Sequence, residues 1–386
     1  MYKMTDENLQ WLNDTWNKVD SKLQKVCVRS REKIPYTTVN GVHDNMLDAN
    51  PCWWTNGFWG GMMWLMYLGA NNEEYKKTAL RSEQLLDKAL ETFKRLHHDV
   101  GFMWTLTSVA NYRITGNEAA ANKALFMASS LFSRFNIEGN FIRAWNSYSN
   151  DSHNKTWTII DTLMNLPLLY WASREIGDDR FTKVAMRHAD MAIRDHIRPD
   201  GSVNHIVIHD EHTGEMTGVY VGGQGYRADS SWSRGVAWAV YGMALSYIHT
   251  KEQRYLDAAI LTADHFIENC KKTGYLAFSD FYAPEDPVYY DSTAGVCAAC
   301  GLIEIAKCLS GEQAEYYMGE AINILKATDA HFCSYADDQD ALVLMGSNRY
   351  PREEKLLNGV HTPIIYGDFF FVEALMKLKG SDFLIW

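Results

Sequence analysis

Two aspartates are the residues of this sequence best suited to acid–base chemistry. Asp161 stands between the apolar pairs Ile159-Ile160 and Leu163-Met164, so its carboxylate is expected inside an apolar helix. An ionised carboxylate is costly to bury there unless it is paired or protonated. Asp99 follows His97-His98 and precedes another apolar segment, where an aspartate fits equally well as a helix cap or as a catalytic group. Two such acids could serve glycoside hydrolysis, sugar epimerisation or lyase chemistry.

Tryptophans and one arginine recur near these aspartates and near other predicted helix starts. A single tryptophan beside an apolar helix usually belongs to the core, but several beside carboxylates suit the apolar faces of sugar rings. The tryptophans in question are Trp54, Trp145, Trp157, Trp232 and Trp238. Arg234 can be either the salt-bridge partner of an acid or the clamp on a substrate carboxylate. The combination predicts a carbohydrate site.

Neither a metal nor a cofactor is expected. Neighbouring side chains such as His97 and His98 point apart on a strand or helix, and no HExxH motif or suitably spaced third ligand appears. The segment Gly222-Gly-Gln-Gly225 precedes no helix, so it lacks the context of a phosphate-binding loop. Cys297 and Cys300 have redox spacing, yet small residues that pack helices are the better interpretation of their Gly/Ala-rich stretch.

The elements that must position these residues are predicted to be paired helices. Short polar connectors such as Thr115-Gly-Asn-Glu118 end a segment that is apolar all round and open an amphipathic one. The first kind is typical of a buried inner helix and the second of a half-exposed outer helix. Six inner helices are predicted to begin near Asn56, Gly101, Thr158, Ser233, Ser292 and Gly367. Five have an outer partner; the sixth is a helix after Thr5 with the apolar stripe Leu9, Leu12, Trp16, Val19 and Leu23.

Six inner and six outer helices that close on themselves predict an all-α fold, the (α/α)6 barrel, as a single domain over residues 1–386. The longer connections then collect beside the N-termini of the inner helices, where binding groups and a positive helix-end potential are expected. The longest connection, residues 199–232, contains an alternating pattern at Val203, Ile206 and Ile208, a turn at 210–214 and a second strand over 216–221. This pattern predicts a short β-hairpin on the rim of the site.

Composition excludes several classes of protein. The 386 residues are 47% hydrophobic and 22% charged, which is incompatible with a disordered chain. The net charge of −11 and the lack of a Lys/Arg cluster argue against nucleic acid as a partner. No apolar run is long enough for a membrane span, and the start of the chain lacks a secretory pattern. Seven scattered cysteines form no disulfide framework, so a cytoplasmic protein is expected, as a monomer or homodimer.

Several motifs resemble those of one known family. His97-His98-Asp99-Val-Gly-Phe102 and Ile159-Ile-Asp161-Thr-Leu-Met-Asn165 resemble the two catalytic segments of the unsaturated glucuronyl hydrolases, glycoside hydrolase family 88. Segments 54–59, 232–238, 291–294 and 366–369 are similar to further family segments in the same order. The resemblance spans residues 53–375 and implies an (α/α)6 barrel, in agreement with the helix pattern.

The resemblance also implies an activity and a set of site residues. Family members remove the 4,5-unsaturated uronic acid that polysaccharide lyases leave at the non-reducing end of glycosaminoglycan-type fragments, by hydrating its vinyl ether. Asp161 resembles the general acid and base, and Asp99 the second essential carboxylate. The positions expected to bind the uronate are Trp54, Trp145, His205, Gln224, Arg234 and Trp238. Unsaturated di- and oligosaccharides are therefore the expected partners.

Two departures from the family pattern concern substrate preference. The Ser/Ser/Lys motif of sulfate-recognising members does not keep its spacing in the stretch that contains Ser347, Arg349 and Lys355, so sulfation preference stays open. Gly223 precedes Gln224 where a polar residue is expected.

The rival hypotheses differ in reaction or in leaving sugar. An unsaturated rhamnogalacturonyl hydrolase of pectin breakdown would share the hydration step. A sugar 2-epimerase would need a basic histidine pair facing C2, for which the sequence has only scattered histidines. A non-catalytic carbohydrate-binding toroid has little use for the cost of burying Asp161.

Overall fold

Two concentric rings of helices form the protein. The computed structural model describes residues 4–146 and 154–386. Within those residues the inner ring contains Phe58–Ala70, the composite helix Val100–Trp104, Thr105–Val109 and Ala110–Thr115, then Pro167–Ile176, Ser233–Thr250, Ser292–Cys308 and Ile365–Leu378. The outer ring contains Asp6–Arg29, Glu73–Leu86, Glu118–Phe132, Arg180–Met191 with its continuation Ala192–His196, Gln253–Lys272 and Gly311–Phe332. The predicted all-α (α/α)6 barrel is confirmed.

Smaller elements decorate this frame. Short helical segments are Met46–Ala49, Trp54–Gly57, Lys88–Glu91, Phe93–Arg95, Ile160–Met164 and Glu354–Gly359. Two antiparallel two-stranded sheets pair Thr38–Val39 with Val42–His43 and Phe135–Asn136 with Phe141–Ile142. A third sheet has the order Trp157–Ile159, Ile206–His209, Met216–Val219, all antiparallel.

Burial distinguishes the two rings as the sequence pattern predicts. The inner helix Ser233–Thr250 is buried from its first residue through Ser246. The outer helix Asp6–Arg29 buries a stripe that includes Leu12, Trp16 and Val19, while its polar face is solvated. Leu9 was predicted to belong to this stripe, which is wrong: its side chain is 47% exposed.

Local backbone chemistry ends the inner helices at one end of the barrel. Residues in the left-handed region terminate four of them, at Asn71, Gly116, Gly177 and Lys251, with φ values from 51° to 75°. Each is followed by the next outer helix after a few residues. Because these connections are short, the long connections lie at the opposite end, where the inner helices begin.

The third inner helix begins differently from the prediction. Thr158 is not at a helix start but in the strand Trp157–Ile159, whose β-branched residues pair with Ile206, Val207 and Ile208. A 3-10 turn, Ile160–Met164, follows, and the α-helix starts only at Pro167, which needs no hydrogen-bond partner in a first turn. The predicted hairpin is therefore confirmed but belongs to a three-stranded sheet.

One hydrophobic cluster extends from Leu12 to Trp386 and fills the space between and inside the rings. Glycines allow the inner helices to approach closely: a Cβ at Gly242 would lie 2.5 Å from Leu163, and one at Gly301 would lie 2.9 Å from Tyr241. The sixth inner helix starts at Ile365, two residues before the predicted Gly367. Across the described residues, no helix combines the length and apolarity that crossing a bilayer requires.

Candidate active site

The two predicted acids lie on neighbouring segments at the beginnings of the second and third inner helices. Asp99 occupies the N-cap position of Val100–Trp104, but its side chain makes no capping hydrogen bond. Asp161 lies in the first part of the 3-10 turn Ile160–Met164, half-buried rather than enclosed in an α-helix. The cap interpretation of Asp99 is therefore wrong for its side chain, which turns to other partners.

Asp99 is held as an ionised carboxylate by three side chains. His97 Nδ1 and His98 Nε2 lie 3.1 and 3.2 Å from Asp99 Oδ2, and Asn165 Nδ2 donates to Asp99 Oδ1 over 3.3 Å. Burial alone would raise the pKa of Asp99, but His98, His97 and Asn165 together lower it. Burial also lowers the pKa of His98 to about 3, so a neutral ring can donate from Nε2 while Nδ1 accepts from the Thr162 hydroxyl, 2.9 Å away.

Asp161 has the opposite electrostatic environment. Its Oδ1 is buried and has no hydrogen-bond partner among the described residues. Burial, first, and the charge of Asp99, second, raise the pKa of Asp161 well above its ordinary value, while Arg234 opposes them. Two nearby carboxyl groups whose environments separate their pKa values in this way are suited to different roles. The raised pKa of Asp161 favours its protonated form, and the lowered pKa of Asp99 favours its ionised form.

Asn165 connects the two acids, and the sequence analysis assigned it no role. Its Oδ1 accepts the backbone N–H of Phe102 over 2.7 Å. Its Nδ2 donates to Asp99 Oδ1 and to the backbone carbonyl of Asp161, both over 3.3 Å. A polar residue four positions after Asp161 in an apolar stretch was the available signal. Two of its partners, Phe102 and Asp99, lie more than sixty residues away, so their identity was not readable from spacing.

Aromatic side chains form one side of the site. Trp54 is half-buried and contacts Phe102, Tyr366 and Trp238, with ring centroids 5.4, 5.0 and 6.4 Å apart. Trp238 is only 1% exposed, so most of its surface belongs to the core and its contact with a sugar stays a prediction. Trp54 is the better placed of the two to offer a ring face.

Trp145 lies apart from this aromatic group, on the side of His98 and the rim sheet. Its ring centroid is 6.1 Å from that of His98 and 6.3 Å from that of Trp157. Trp157 in turn contacts Tyr220 at 4.4 Å. The structure thus distributes the predicted sugar-stacking residues over two walls rather than one.

His205 and Gln224, both predicted to bind the uronate, lie in contact with each other. His205 Nδ1 accepts the backbone N–H of Gln224 over 2.9 Å, and the His205 ring lies 4.2 Å from that of Trp232. Burial and then the charge of Arg234 lower the pKa of His205 well below its ordinary value, so the ring is neutral. A Cβ at position 223 would come within 2.8 Å of His205 Nδ1, which explains why Gly223 stands where a polar residue was expected.

Arg234 is used as a salt-bridge partner inside the protein. The guanidinium is 1% exposed and donates to Asp291 Oδ2 over 2.8 Å and to the backbone carbonyls of Ser347 and Asn348. It also packs against the Trp232 ring at 4.8 Å. Of the two interpretations left open by the sequence, the ion pair is the one observed. Direct contact between Arg234 and a uronate stays a prediction.

The loop that Arg234 holds also contains the residues whose roles were open. Ser347 is buried, and its hydroxyl donates to the Tyr290 carbonyl over 2.6 Å. Arg349 is exposed, and Lys355 is exposed and paired with Glu353 at 2.6 Å. Ser347 therefore has an internal role, whereas Arg349 is available at the surface.

His97, His98 and Asp99 also satisfy the minimal requirements of a metal site. Their ligand atoms lie within 4.8 Å of one another. The expectation that the two rings point apart is wrong, because residues 97 and 98 lie in neither a strand nor a helix and both rings face Asp99. The same contacts account for an ionised Asp99 without any ion.

An (α/α)6 barrel whose inner-helix N-termini bring together two differently ionised carboxyl groups and a tryptophan wall is typical of a carbohydrate-active enzyme. The sequence profile of glycosyl hydrolase family 88 matches residues 26–247. This chain belongs to that family, so the predicted family and the prediction of a glycoside hydrolase are confirmed.

Individual relatives agree with this assignment. An unsaturated glucuronyl hydrolase of Bacillus sp. strain GL1 is 33% identical over 354 residues, covering 90% of this chain and 91% of that protein. An unsaturated chondroitin disaccharide hydrolase of Streptococcus pneumoniae strain R6 is 31% identical over 346 residues, covering 86% and 83%. A solved unsaturated glucuronyl hydrolase variant with dGlcA-Glc-Rha-Glc superimposes with a TM-score of 0.86 at 29% identity, covering 94% of this chain and 97% of that one.

Proposed function

We propose that this enzyme releases the 4,5-unsaturated uronic acid from the non-reducing end of lyase-generated glycosaminoglycan oligosaccharides, by hydrating the C4=C5 vinyl ether. The observation that carries the proposal is the contrast between the two acids. Asp99 Oδ2 lies 3.1 and 3.2 Å from His97 Nδ1 and His98 Nε2, whereas the buried Oδ1 of Asp161 has no partner among the described residues. These surroundings lower the pKa of Asp99 and raise that of Asp161. Hydration of a vinyl ether needs a proton donor whose acid form persists near neutral pH. It also needs a nearby negative charge once positive charge develops.

In the proposed reaction Asp161 donates its proton to C4, and the π electrons of the C4=C5 bond form the new C4–H bond. Positive charge then develops at C5, next to the ring oxygen, where the Asp99 carboxylate stabilises it. Water adds to C5 and returns a proton to Asp161, so the acid is regenerated and one water is consumed. The resulting hemiketal opens as the C5–O5 bond breaks, which gives a ketone at C5 and a hemiacetal at C1. That hemiacetal collapses to an aldehyde as its bond to the neighbouring sugar breaks, and the sugar leaves with the hemiacetal proton on its oxygen.

Other residues act on binding in this proposal. Trp54 offers its half-buried ring face to the apolar side of the unsaturated ring. His205, neutral and with an Nε2 that has no partner among the described residues, supplies one hydrogen bond to the uronate or its hydroxyls. Trp145, on the side of the rim sheet, packs against the sugar from the opposite wall. The backbone N–H of Gln224 donates to His205 Nδ1 and so fixes the orientation of the His205 ring.

The rim next to His205 favours a leaving sugar that carries an anionic substituent. The charges of Arg349 and Arg352 both reach the His205 ring, where they lower its pKa. Arg352 donates to the backbone carbonyls of Val221 and Gly223, and neither arginine forms a salt bridge within the described ranges. In a chain of net charge −11, this concentration of positive charge is suited to a sulfate or a second carboxylate.

The test is incubation of the purified enzyme with unsaturated disaccharides while following the loss of double-bond ultraviolet absorbance. Substrates are an unsulfated and a sulfated chondroitin-type disaccharide, an unsaturated rhamnogalacturonan-type disaccharide, and a saturated disaccharide as a blank. Asp161→Asn is expected to lose about 10²–10⁴-fold in kcat. Its matched control is Asp340→Asn, a buried aspartate 4.0 Å from His43 that makes no contact with Asp99 or Asp161 among the described residues, and this variant is expected to turn over normally.

Absence of decay with every unsaturated substrate, or normal turnover by Asp161→Asn, would overturn the proposal. Turnover of the rhamnogalacturonan-type substrate alone would replace the glycosaminoglycan assignment with the pectin-type one. Arg349→Ser is expected to lower kcat/KM for the sulfated substrate more than for the unsulfated one.

A further inference from the structure

The segment after the last inner helix returns into the barrel from the end that carries the short connectors. Arg113, near the end of the second inner helix, donates to the backbone carbonyl of Leu384, and its guanidinium lies 4.5 Å from the Phe383 ring. Beyond this anchor the segment is fully enclosed: Ile385 is 0% exposed and Trp386 is 2% exposed. A tryptophan side chain therefore occupies the barrel interior, under the site rather than on the surface.

Trp386 packs on aromatic rings from four inner helices. Its ring centroid lies 5.8 to 6.4 Å from the centroids of five other rings and is nearly parallel to Phe370, at 16°. Two of those rings, Phe58 and Phe102, are the same rings on which Trp54 packs from the other side. The aromatic interior is thus layered, with Trp386 in the layer directly beneath the one that supports Trp54.

A polar contact fixes the orientation of this indole. Trp386 Nε1 donates to Glu373 Oε1 over 3.0 Å. The Tyr241 hydroxyl donates to the same oxygen, and Lys377 Nζ lies 3.3 Å from it. Because the buried ring has both a stacking partner and a hydrogen-bond acceptor, it occupies one orientation rather than several.

Phe102 is the route from Trp386 to the acids. Its ring centroid lies 6.0 Å from that of Trp386, and its backbone N–H donates to Asn165 Oδ1 over 2.7 Å. Asn165 in turn donates to Asp99 Oδ1 and to the Asp161 carbonyl. A shift of Phe102 toward an empty space below it would therefore move the amide that sets the separation of the two carboxyl groups.

We propose that Trp386 is a positioning residue of the catalytic site: it fills the barrel interior beneath Phe102 and thereby holds Asn165 and the two aspartates in their working arrangement. This inference rests on the proposed function, because it concerns the geometry of the same two acids. Active sites tolerate little displacement, and a misplacement of about 1 Å can cost about 10²-fold in rate.

The experiment compares the full chain with Trp386→Gly, Trp386→Leu and Trp386→Phe on the unsaturated disaccharide that the unchanged enzyme turns over fastest. The glycine variant is expected to lose about 10- to 100-fold in kcat. A smaller change in KM is expected, because Trp54 also packs on Tyr366, whose ring is not among those that contact Trp386. Indole added at millimolar concentration is expected to restore at least about a tenth of the lost kcat, because an apolar cavity of matching shape binds an aromatic ligand. Trp386→Phe keeps a ring in place and is expected to retain most of the kcat.

Trp64→Ala is the matched control. Trp64 is buried like Trp386, but it belongs to the first inner helix, and its ring lies beside Tyr67 and is not among the rings that contact Phe102. Its loss is expected to lower the melting temperature without changing kcat at 25 °C and without any response to indole.

The results separate the two proposals. Failure of the unchanged enzyme on every substrate would refute the proposed function. A normal kcat in a folded Trp386→Gly or Trp386→Leu chain, or an equal loss in Trp64→Ala, would overturn the positioning role. If the glycine variant does not fold, Trp386→Leu decides alone: a lowered melting temperature with an unchanged kcat would reduce Trp386 to a stabilising residue.

Discussion

The separation of the two aspartate pKa values predicts how the pH–rate profile responds when the charge of Asp99 is removed. In the free enzyme the basic limb of kcat/KM reports deprotonation of the general acid, which is Asp161 in the proposed mechanism. Burial and the charge of Asp99 both raise the pKa of Asp161, and Arg234 lowers it. Asp99→Asn keeps the burial and Arg234 but removes the charge.

The basic limb is therefore expected to move to lower pH in Asp99→Asn. The amide keeps an oxygen that can accept from His98 Nε2, 3.2 Å from the carboxylate in the unchanged chain, so the local packing is retained. Every pH unit by which the limb moves corresponds to about 1.4 kcal/mol of lost charge interaction and a tenfold lower rate on the alkaline side. Loss of transition-state stabilisation adds a pH-independent decrease of about 10²-fold, in the range for one positioned electrostatic group.

The measurement is kcat/KM for one unsaturated disaccharide between pH 4 and pH 9, at constant ionic strength. Asp340→Asn serves as the control, because Asp340 is also a buried aspartate near a histidine, with its Oδ2 4.0 Å from His43 Nδ1, and its charge is not among those that shift the pKa of Asp161. Its basic limb is expected to coincide with that of the unchanged enzyme. If the basic limb of Asp99→Asn does not move, Asp99 does not set the protonation of Asp161 and the assignment of roles is refuted.

Three further predictions concern the groups around the acids. Gly101→Ala is expected to reduce kcat and to destabilise the fold by about 1–3 kcal/mol, because the new Cβ would lie 2.5 Å from Asn165 Cα. The ultraviolet assay measures kcat and denaturant titration measures the stability. An unchanged denaturation midpoint would contradict the packing. Arg234→Lys is expected to raise KM more than it lowers kcat, since an ammonium group cannot bind Asp291 and two backbone carbonyls with the forked geometry of a guanidinium. If Arg234 acted in the chemical step, steady-state kinetics would instead show a larger change in kcat than in KM. Burial lowers the pKa of His196 to about 4 in the folded protein, below the pKa of about 6.5 that the residue has in the unfolded chain. Its contribution to stability is therefore fully present above pH of about 6.5 and is lost as the pH falls toward about 4. Melting temperatures at pH 7, 6 and 5 should fall less steeply in His196→Gln than in the unchanged chain, and parallel curves would exclude His196 as a cause.

The ring architecture was readable because its cause is local. An inner helix is apolar on every side and an outer helix on one, and both patterns repeat within some fifteen residues. Left-handed residues at Asn71 and Gly116 mark the short connections in the same local way. The predicted start of the third inner helix was wrong because Thr158 belongs to a strand, where it pairs with Val207. The two residues are forty-nine positions apart, so the local sequence pattern does not indicate the pairing.

The acids themselves were predictable by type, since a carboxylate in an apolar helix start is conspicuous in any sequence. Their different ionisation was not, because it depends on which groups surround each one. His97 and His98 can both face Asp99 because the backbone at 97–98 is irregular. Asp161 has no such partners: it is surrounded by buried groups and lies near the charge of Asp99. Spacing along the chain cannot distinguish these two environments.

The sequence by itself determined the helical rings, because short-range periodicity is sufficient for them. It also predicted the two acids and the end of the barrel where they lie, because residue chemistry and connection length indicate both. Only the tertiary structure decided that Arg234 binds the 347–348 loop, that Asn165 links the acids, and that Trp386 lies beneath them. Those contacts join residues from about sixty to nearly three hundred positions apart. They exist only once the ring has closed, since closure brings together side chains that no local pattern connects.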